Sequence, residues 1–254
     1  MRPYLLAENN WKTIKDQDVE LAILPWGATE AHNYHLPYGT DNIETEAIAS
    51  ESARIAWEKG ARVIVLPAIP FGVNTGQLDI KLTISLNPST QALILDNVVE
   101  SLSKQGIFKL LIINGHGGNN FKQMIRELGN HHPEMFLCTC NWYQTVNKEE
   151  IFARPGDHAD ESETSLMLYL AADLVLPIDM AGKGKSRKFR VKALNEKWAW
   201  AERRWSLVSK DTGIGDPSLA TPEKGEIFFK GMVEKIGELI FDLSEMKRDD
   251  IYEP

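Results

Sequence analysis

The chain has 254 residues, of which 43% are hydrophobic and 25% are charged, as in an ordinary globular protein. Its formal net charge of −8 at pH 7 disfavours nucleic acid as a partner, because binding to phosphates requires a basic surface. We find no apolar stretch near the roughly 20 residues that cross a bilayer, and no secretory signal pattern at the N-terminus. With Cys138 and Cys140 as its two cysteines, the sequence predicts a cytoplasmic protein with no membrane partner.

Apolar runs alternate with helical patterns along the first 141 residues. The predicted strands are 19–24, which ends at Pro25, and 62–66, 109–114 and 135–141; the last contains both cysteines as core residues. The predicted helices are 42–58, 88–105, where Pro88 follows the capping Asn87, and about 119–129. Strands that alternate with helices of this length predict βαβ units and a mostly parallel sheet, hence the α/β class.

The remainder of the chain is less regular. We predict a helix over 166–172 and a closing amphipathic helix over 222–246, and we expect His131 and His132 in a surface turn before Pro133. The segment 181–216 carries three tryptophans and could be a lid, an interface or a packed excursion; its basic cluster, 183–192, is an anion patch or a solvated loop. With no shift in composition, we expect a single domain over residues 1–254.

Polar side chains follow the first predicted strand. If the segment after it is extended, Glu30 and His32 project to the same side, and Asp41 lies where the next helix begins. Two carboxylates and an imidazole form a ligand set that suits Zn²⁺, Mn²⁺ or Fe²⁺. Taken singly, Asp41 could be only a helix cap and Glu30 only a surface acid, but the set in one loop favours a metal.

Two further segments carry chemistry. His116 is the bulky side chain of a glycine-rich turn after the third predicted strand, where ligands bind in parallel sheets. His158 and Glu163 lie in an acidic segment before a predicted helix. Acids there favour the helix dipole, but a carboxylate beside a metal-bound water can also act as general base and a histidine as acid. We therefore assign His158 and Glu163 as candidate catalytic residues.

These segments together resemble the creatininase family of metal-dependent amidohydrolases. The resemblance extends from about residue 20 to 235. The matching motifs are Glu30-x-His32-x-x-His35-Leu36-Pro37-x-Gly39-Thr40-Asp41, Asn114-Gly115-His116-Gly117-Gly118-Asn119, Asp157-His158-Ala159-x-x-x-Glu163-Thr164-Ser165, and the later stretches 213–217 and 220–225.

The resemblance implies a three-layer α/β/α fold, a two-metal centre and a homohexamer. Family members hydrolyse C–N bonds of cyclic amides or formamides, so a small amide is the expected substrate. By motif position, Glu30 and His116 would bind one metal, His32 the other, and Asp41 both. Two metals about 3.5–4 Å apart can share a hydroxide nucleophile and polarise a carbonyl.

The sequence departs from the family at one ligand. In creatininase itself a tyrosine of the substrate pocket and a glutamate ligand of the second metal follow the histidine of the glycine-rich turn; here Gly117 and Gly118 stand in their places. Glu163 is the nearest replacement ligand, or else a general base. This change disfavours creatinine and favours the wider family, which resembles formamide deformylases and peptide-trimming relatives. Asn74, Gly117 and Asp157 are candidates for substrate contact.

Two alternatives to an enzyme follow from the same residues. The loss of the loop glutamate would also fit a non-catalytic protein that binds a small molecule or serves as a structural subunit. Six polar residues that the chain retains argue against that interpretation: Glu30, His32, Asp41, His116, His158 and Glu163. A phosphate-binding turn at 115–119 is disfavoured, because it lacks the Gly-Lys-Ser/Thr end of a P-loop and the full dinucleotide fingerprint.

Overall fold

A four-stranded parallel sheet lies at the centre of the molecule. We obtained a computed structural model, which describes residues 2–248 and 250–252. The strands follow the order β2-β1-β3-β4, and each neighbouring pair is parallel. Their bounds are β1 (Leu21–Trp26), β2 (Val63–Val65), β3 (Lys109–Asn114) and β4 (Phe136–Asn141). The predicted α/β class with a mostly parallel sheet is confirmed.

Helices cover both faces of this sheet. The α-helices of the described residues are α1 (Trp11–Ile14), α2 (Thr40–Glu58), α3 (Pro88–Lys104), α4 (Phe121–His131), α5 (Glu161–Ala171), α6 (Lys192–Asn195), α7 (Trp205–Val208) and α8 (Pro222–Glu245). Helices α2 and α8 lie on one face, and α3 and α4 lie on the other. Within the described residues, none of these helices has the length and hydropathy to cross a membrane.

Alternation along the strands creates two hydrophobic cores. Ile23 and Ile113 point to the face that α2 and α8 cover, whereas Leu24 and Ile112 point to the face of α3 and α4. Successive strand side chains project to opposite faces, so strands that are buried on both sides are continuously apolar. The three-layer arrangement expected from the family resemblance is therefore present.

The end of β1 was predicted two residues too early. Pro25 was expected to stop the strand, yet Pro25 and Trp26 pair with Ile113 and Asn114 of β3. The Pro25 carbonyl accepts a hydrogen bond from Ile69 N (3.0 Å) on the opposite side. The N–H that proline lacks would point to that same side, beyond the end of the short strand β2, so no ladder hydrogen bond is lost.

Several other predictions about the elements were wrong in detail. Strand β4 lies at the edge of the sheet and is half-buried, so Cys138 and Cys140 are packed against the core but are not fully inside it. Helix α4 continues through His131, which therefore lies in a helix rather than a turn. Helix α5 begins at Glu161 instead of residue 166, because Asp160 caps it.

The topology brings two of the motif segments together. Strand β1 lies between β2 and β3, and the connections that leave its carboxyl end and that of β3 run into helices on opposite faces. In such sheets this point is where ligands bind. The Gly115 N–H donates to the Trp26 carbonyl (2.9 Å), so the segments that carry Glu30 and His116 start side by side.

Candidate metal centre

The segment after β1 and the first turn of α2 supply three buried groups. The His32 Nδ1–H donates to the backbone carbonyl of Glu30 (3.1 Å). Its Nε2 then faces Asp41 Oδ1 at 3.0 Å and Glu30 Oε1 at 4.0 Å. All three residues are at most 2% exposed, so the proximity expected from the sequence is present in the fold.

The turn after β3 supplies the fourth group. The Asn114 side chain donates to the His116 carbonyl (3.0 Å) and accepts from the His116 N–H (3.1 Å), which fixes the turn. The His116 Nε2–H donates to the Val73 carbonyl (3.1 Å). Its Nδ1 therefore points inward, 3.0 Å from both Glu30 Oε1 and Asp41 Oδ2.

The start of α5 supplies His158 and Glu163. Asp160 accepts hydrogen bonds from the N–H groups of Ser162 (2.9 Å) and Glu163 (3.0 Å) and so caps the helix. The Ala159 N–H donates to Glu163 Oε2. The His158 Nε2–H donates to the Ala31 carbonyl (2.9 Å), and its Nδ1 lies 3.9 Å from Glu30 Oε1.

The three histidines share one arrangement. In His32, His116 and His158, one ring nitrogen is bonded to a backbone carbonyl and the other faces buried carboxylates. Metal-binding histidines typically donate their outer N–H in this way, because that bond fixes the tautomer and the direction of the ligand nitrogen. The carbonyl bonds leave the inward nitrogens available as ligands.

These side chains form overlapping groups of possible ligand atoms. Within each group the ligand atoms lie within 4.8 Å of one another. The groups are Glu30, Asp41 and His116; His32, Asp41 and Glu163; and Glu30, His32 and His158. Nitrogen and carboxylate donors of this kind suit Zn²⁺, Mn²⁺ or Fe²⁺, and the donor set therefore fits a divalent metal.

Without a metal, the negative charges of the buried carboxylates can be balanced only by protonation of the neighbouring histidines. Burial favours the uncharged imidazole, but Asp41 outweighs it and raises the pKa of His32 to about 10. Burial likewise opposes the raised pKa of His116, which Glu30 and Asp41 cause. A divalent cation would take the place of these protons, since ligand nitrogens must be deprotonated to bind it.

His35 differs from the other motif histidines. It is buried, and its Nε2 is hydrogen-bonded to the Thr164 hydroxyl (2.9 Å). Burial, together with the charge of His32, lowers the pKa of His35 to about 4. Its neutral ring joins the β1 segment to α5 and belongs to none of the ligand groups among the described residues.

The residues expected to contact substrate lie in three different surroundings. Asn74 is buried, and its amide nitrogen donates to the Ile84 carbonyl (3.1 Å). Gly117 is exposed, and a Cβ added there would meet open space. Asp157 is exposed and forms an ion pair with Arg203. They remain predictions as substrate contacts.

The segment 181–216 packs over this region. The Trp205 ring lies against His158, with a distance of 4.7 Å between ring centroids, and the Arg203 guanidinium lies 4.9 Å from the Trp205 ring. Thr75 and Asp79 form hydrogen bonds with Glu202 and Ser206 of the same segment. Packing beside the site, one of the three alternatives from the sequence, is present in the structure.

Sequence reasoning missed two groups of the centre. Gln77 is buried, and its amide donates to Glu30 Oε2, although a glutamine in an irregular loop gave no signal of this contact. Trp205 was noted only as one of three tryptophans, because its contact with His158 joins residues 47 positions apart in the chain.

A parallel sheet with a cluster of histidines and carboxylates at its carboxyl edge defines an α/β metalloenzyme centre. The model of one family, described as creatinine amidohydrolase, matches residues 7–240. The chain therefore belongs to the creatininase family of metal-dependent hydrolases, as the motifs suggested.

Individual relatives differ in their named activities. A mycofactocin precursor peptide peptidase of Mycobacterium tuberculosis is 28% identical over 230 residues, which are 84% of this chain and 81% of the relative. A creatinine amidohydrolase of Pseudomonas putida is 26% identical over 174 residues, or 60% of this chain and 65% of that protein.

Solved structures share the whole fold. A Bacteroides fragilis protein described as a "putative creatinine amidohydrolase" has a TM-score of 0.93 and 41% identity, and the match covers 100% of both chains. A manganese form of creatininase has a TM-score of 0.82 at 20% identity, covering 96% of this chain and 99% of that one. The second likeness shows the fold alone.

Proposed function

We propose that this chain is a metal-dependent amidohydrolase that cleaves a C–N bond of a small cyclic amide or formamide. The observation that carries the proposal is the shared arrangement of His32, His116 and His158. Each ring is fixed by a backbone carbonyl and presents its other nitrogen to buried carboxylates. A purely structural cluster would not need three inward nitrogens on two carboxylates.

The residues divide naturally between two Zn²⁺, Mn²⁺ or Fe²⁺ ions. Glu30 and His116 would hold one ion, His32 and Glu163 the other, and Asp41 both, in line with the groups that their ligand atoms form. When bound, the ions would supply an activated water and polarise the scissile carbonyl. Solved creatininases in manganese and zinc forms agree with this choice of metals.

His158 is suited to carry a proton to the leaving nitrogen. Its Nε2–H is held by the Ala31 carbonyl, which leaves Nδ1 for exchange with a bound group. Trp205 covers one side of the ring and shields it from bulk water. A positioned histidine of this kind contributes about 10²–10⁴-fold to such reactions.

Substrate contacts are assigned to the surroundings of the centre. Asn74 belongs to the loop that meets His116 through the Val73 carbonyl, Asp157 precedes His158, and Gly117 leaves open space where a family member has a side chain. The similarity to a peptide peptidase favours a second candidate, the hydrolysis of a peptide amide at the same centre.

The test begins with protein stripped by a chelator and reloaded with Zn²⁺, Mn²⁺ or Fe²⁺. We expect metal-dependent turnover within a panel of cyclic amides, formamides and short peptides. His116→Gln should lower kcat/KM by at least about 100-fold, because it removes a ligand and not merely an outer-sphere partner. His131→Gln, at the exposed end of α4, is the matched control and should retain activity.

The outcomes separate the candidates. Turnover of peptides alone would replace the small-amide proposal with the peptidase. Wild-type protein that retains far less than one ion per chain after reloading would contradict both the amidohydrolase and the peptidase, and would support the non-catalytic alternative.

We further propose that the chain forms one domain and assembles as a homohexamer in the cytoplasm. The family match over residues 7–240 and the exposed Trp198 and Trp200 support a single unit with a surface for self-association. Light scattering after size-exclusion chromatography would measure the assembly, and a monomer would contradict it.

A further inference from the structure

One buried carboxylate has no use in the assignments above. Glu44 lies on α2 and is 0% exposed. Among residues 2–248 and 250–252, neither of its carboxylate oxygens has a hydrogen-bond partner. Within the described residues, no lysine, arginine or histidine forms an ion pair with it. Buried polar groups of this kind are rare, and an ion or water that satisfies them is one of the recognised explanations.

The position of Glu44 directs it to the metal centre. Residues three apart on a helix lie on the same face, so Glu44 is a neighbour of Asp41, and helical side chains tilt towards the N-terminus of their helix. Its carboxylate is therefore carried back towards the Asp41 turn. Apart from burial, the charges that act most strongly on it are those of Glu163 and Asp41, both members of one ligand group.

Protonation of Glu44 would not satisfy its buried carboxyl group. Burial and the charges of Glu163 and Asp41 raise the pKa of Glu44, but a protonated carboxyl group also needs an acceptor for its O–H. No acceptor is in place within the described residues. A nearby cation, with a bound water between it and Glu44, would satisfy these oxygens and offset the repulsion from the two neighbouring carboxylates.

Glu44 belongs to none of the ligand groups among the described residues, so its carboxylate lies outside direct contact with the ion. We infer that Glu44 helps to hold the ion of His32, Asp41 and Glu163 through a bound water, as an outer-sphere partner. This inference rests on the proposed function. It explains how the second ion is retained although the turn after His116 carries Gly118 and offers no carboxylate. The second ion would then be held from α2 and α5.

The decisive measurement is the metal content and affinity of Glu44→Gln. Stripped protein is titrated with Mn²⁺ or Zn²⁺ alone, and the bound ions are counted by elemental analysis and calorimetry. Wild-type protein should bind two ions per chain. Glu44→Gln should keep one ion and bind the other at least about tenfold more weakly. With Mn²⁺, the electron paramagnetic resonance signal of a coupled pair should give way to that of a single ion.

Glu161→Gln is the matched control. Glu161 is also 0% exposed and acidic, but its carboxylate is paired with Lys224 and with the Arg154 N–H. Its substitution should lower the melting temperature and leave two ions bound. Without metal, Glu44→Gln should lower the melting temperature less than Glu161→Gln does, since among the described residues Glu44 has no hydrogen bond or ion pair to lose.

Each outcome has one meaning. If Glu44→Gln binds both ions within about twofold of the wild type, Glu44 does not help to hold the ion and the inference fails, while the hydrolase proposal remains. If the wild type binds a single ion, the inference also fails. If the wild type binds none, the proposed function fails with it. Should Glu44→Gln not fold, Glu44→Asp provides the same comparison, because it keeps the charge but shortens its reach.

Discussion

Gly117 and Gly118 are neighbours in one turn, yet a side chain would meet different surroundings at each. A Cβ at Gly117 has no atom within 4 Å. A Cβ at Gly118 would overlap the Val73 carbonyl oxygen and the ring of His116. Neither glycine has a positive φ, so the difference between them is one of space and not of backbone conformation.

This contrast predicts unequal effects of the same substitution. Gly118→Ala should lower the free energy of unfolding by about 1–3 kcal/mol, as overpacking typically does, and should displace His116. Gly117→Ala should change it by no more than about 0.5 kcal/mol, as for an unconstrained surface position. Urea unfolding measures both values. Equal values for the two variants would contradict the packing described here.

Single residues also show how far the sequence alone could reach. Asp41 was predicted at the site because it ends a motif only nine residues beyond His32. Glu44 and Gln77 were not, since their significance depends on which partners the folded chain brings or fails to bring. A buried acid without partners cannot be distinguished from an exposed helical glutamate until the packing of α2 is known.

Among the elements, the start of α5 links stability to the metal centre. Asp160 caps the helix through the N–H groups of Ser162 and Glu163. Asp160→Ala should lower the free energy of unfolding by about 1 kcal/mol, the usual effect of a lost cap. It should also weaken one of the two bound ions, because the first turn presents Glu163. Metal titration and urea unfolding of the same samples measure the two effects.

Asp160→Asn is the control for that prediction. Asparagine caps helices about as well as aspartate, so this variant should recover most of the stability that alanine loses. If Asp160→Ala kept both ions at wild-type affinity, the helix end would not set the position of Glu163.

Element boundaries were the part of the fold least accessible to sequence. The apolar periods located all four strands. The end of β1 was predicted too early at Pro25, because the effect of this proline on the strand depends on where β2 ends. Burial of β4 was overestimated because an apolar run does not reveal whether a strand is central or at an edge. For α5, the sequence placed Glu161 and Glu163 in a loop before the helix. The structure shows that they form its first turn, because Asp160 is the cap.

Across the whole molecule, the candidate centre joins parts of the chain that are far apart in sequence. It draws on the segments after β1 and β3 and on the first turns of α2 and α5. A metal bound there stabilises the folded state only, since the unfolded chain does not hold these ligands together. The fold, its layers and the meeting of these segments at one centre were predictable from alternation and family motifs, whereas the carbonyl hydrogen bonds that orient the three histidines required the structure.

Metal should therefore raise the melting temperature of the protein. At a free metal concentration of 100 times Kd, the expected gain in stability is about 2.7 kcal/mol. Calorimetric melting of stripped and reloaded protein measures it, and His116→Gln should show a smaller gain than the wild type. Equal melting temperatures with and without metal would mean that no ion binds preferentially to the folded chain.

The lack of space for a side chain at Gly118 also limits how this site can evolve. A mutation that placed a longer side chain there would meet the Val73 carbonyl before it gained a ligand, so selection would act on the defect first. The loop at 71–74 would have to move beforehand. If the acidic residues of α2 and α5 hold the second ion, lineages that carry Gly118 should retain them, and substitutions of these acids should be the least tolerated in their descendants.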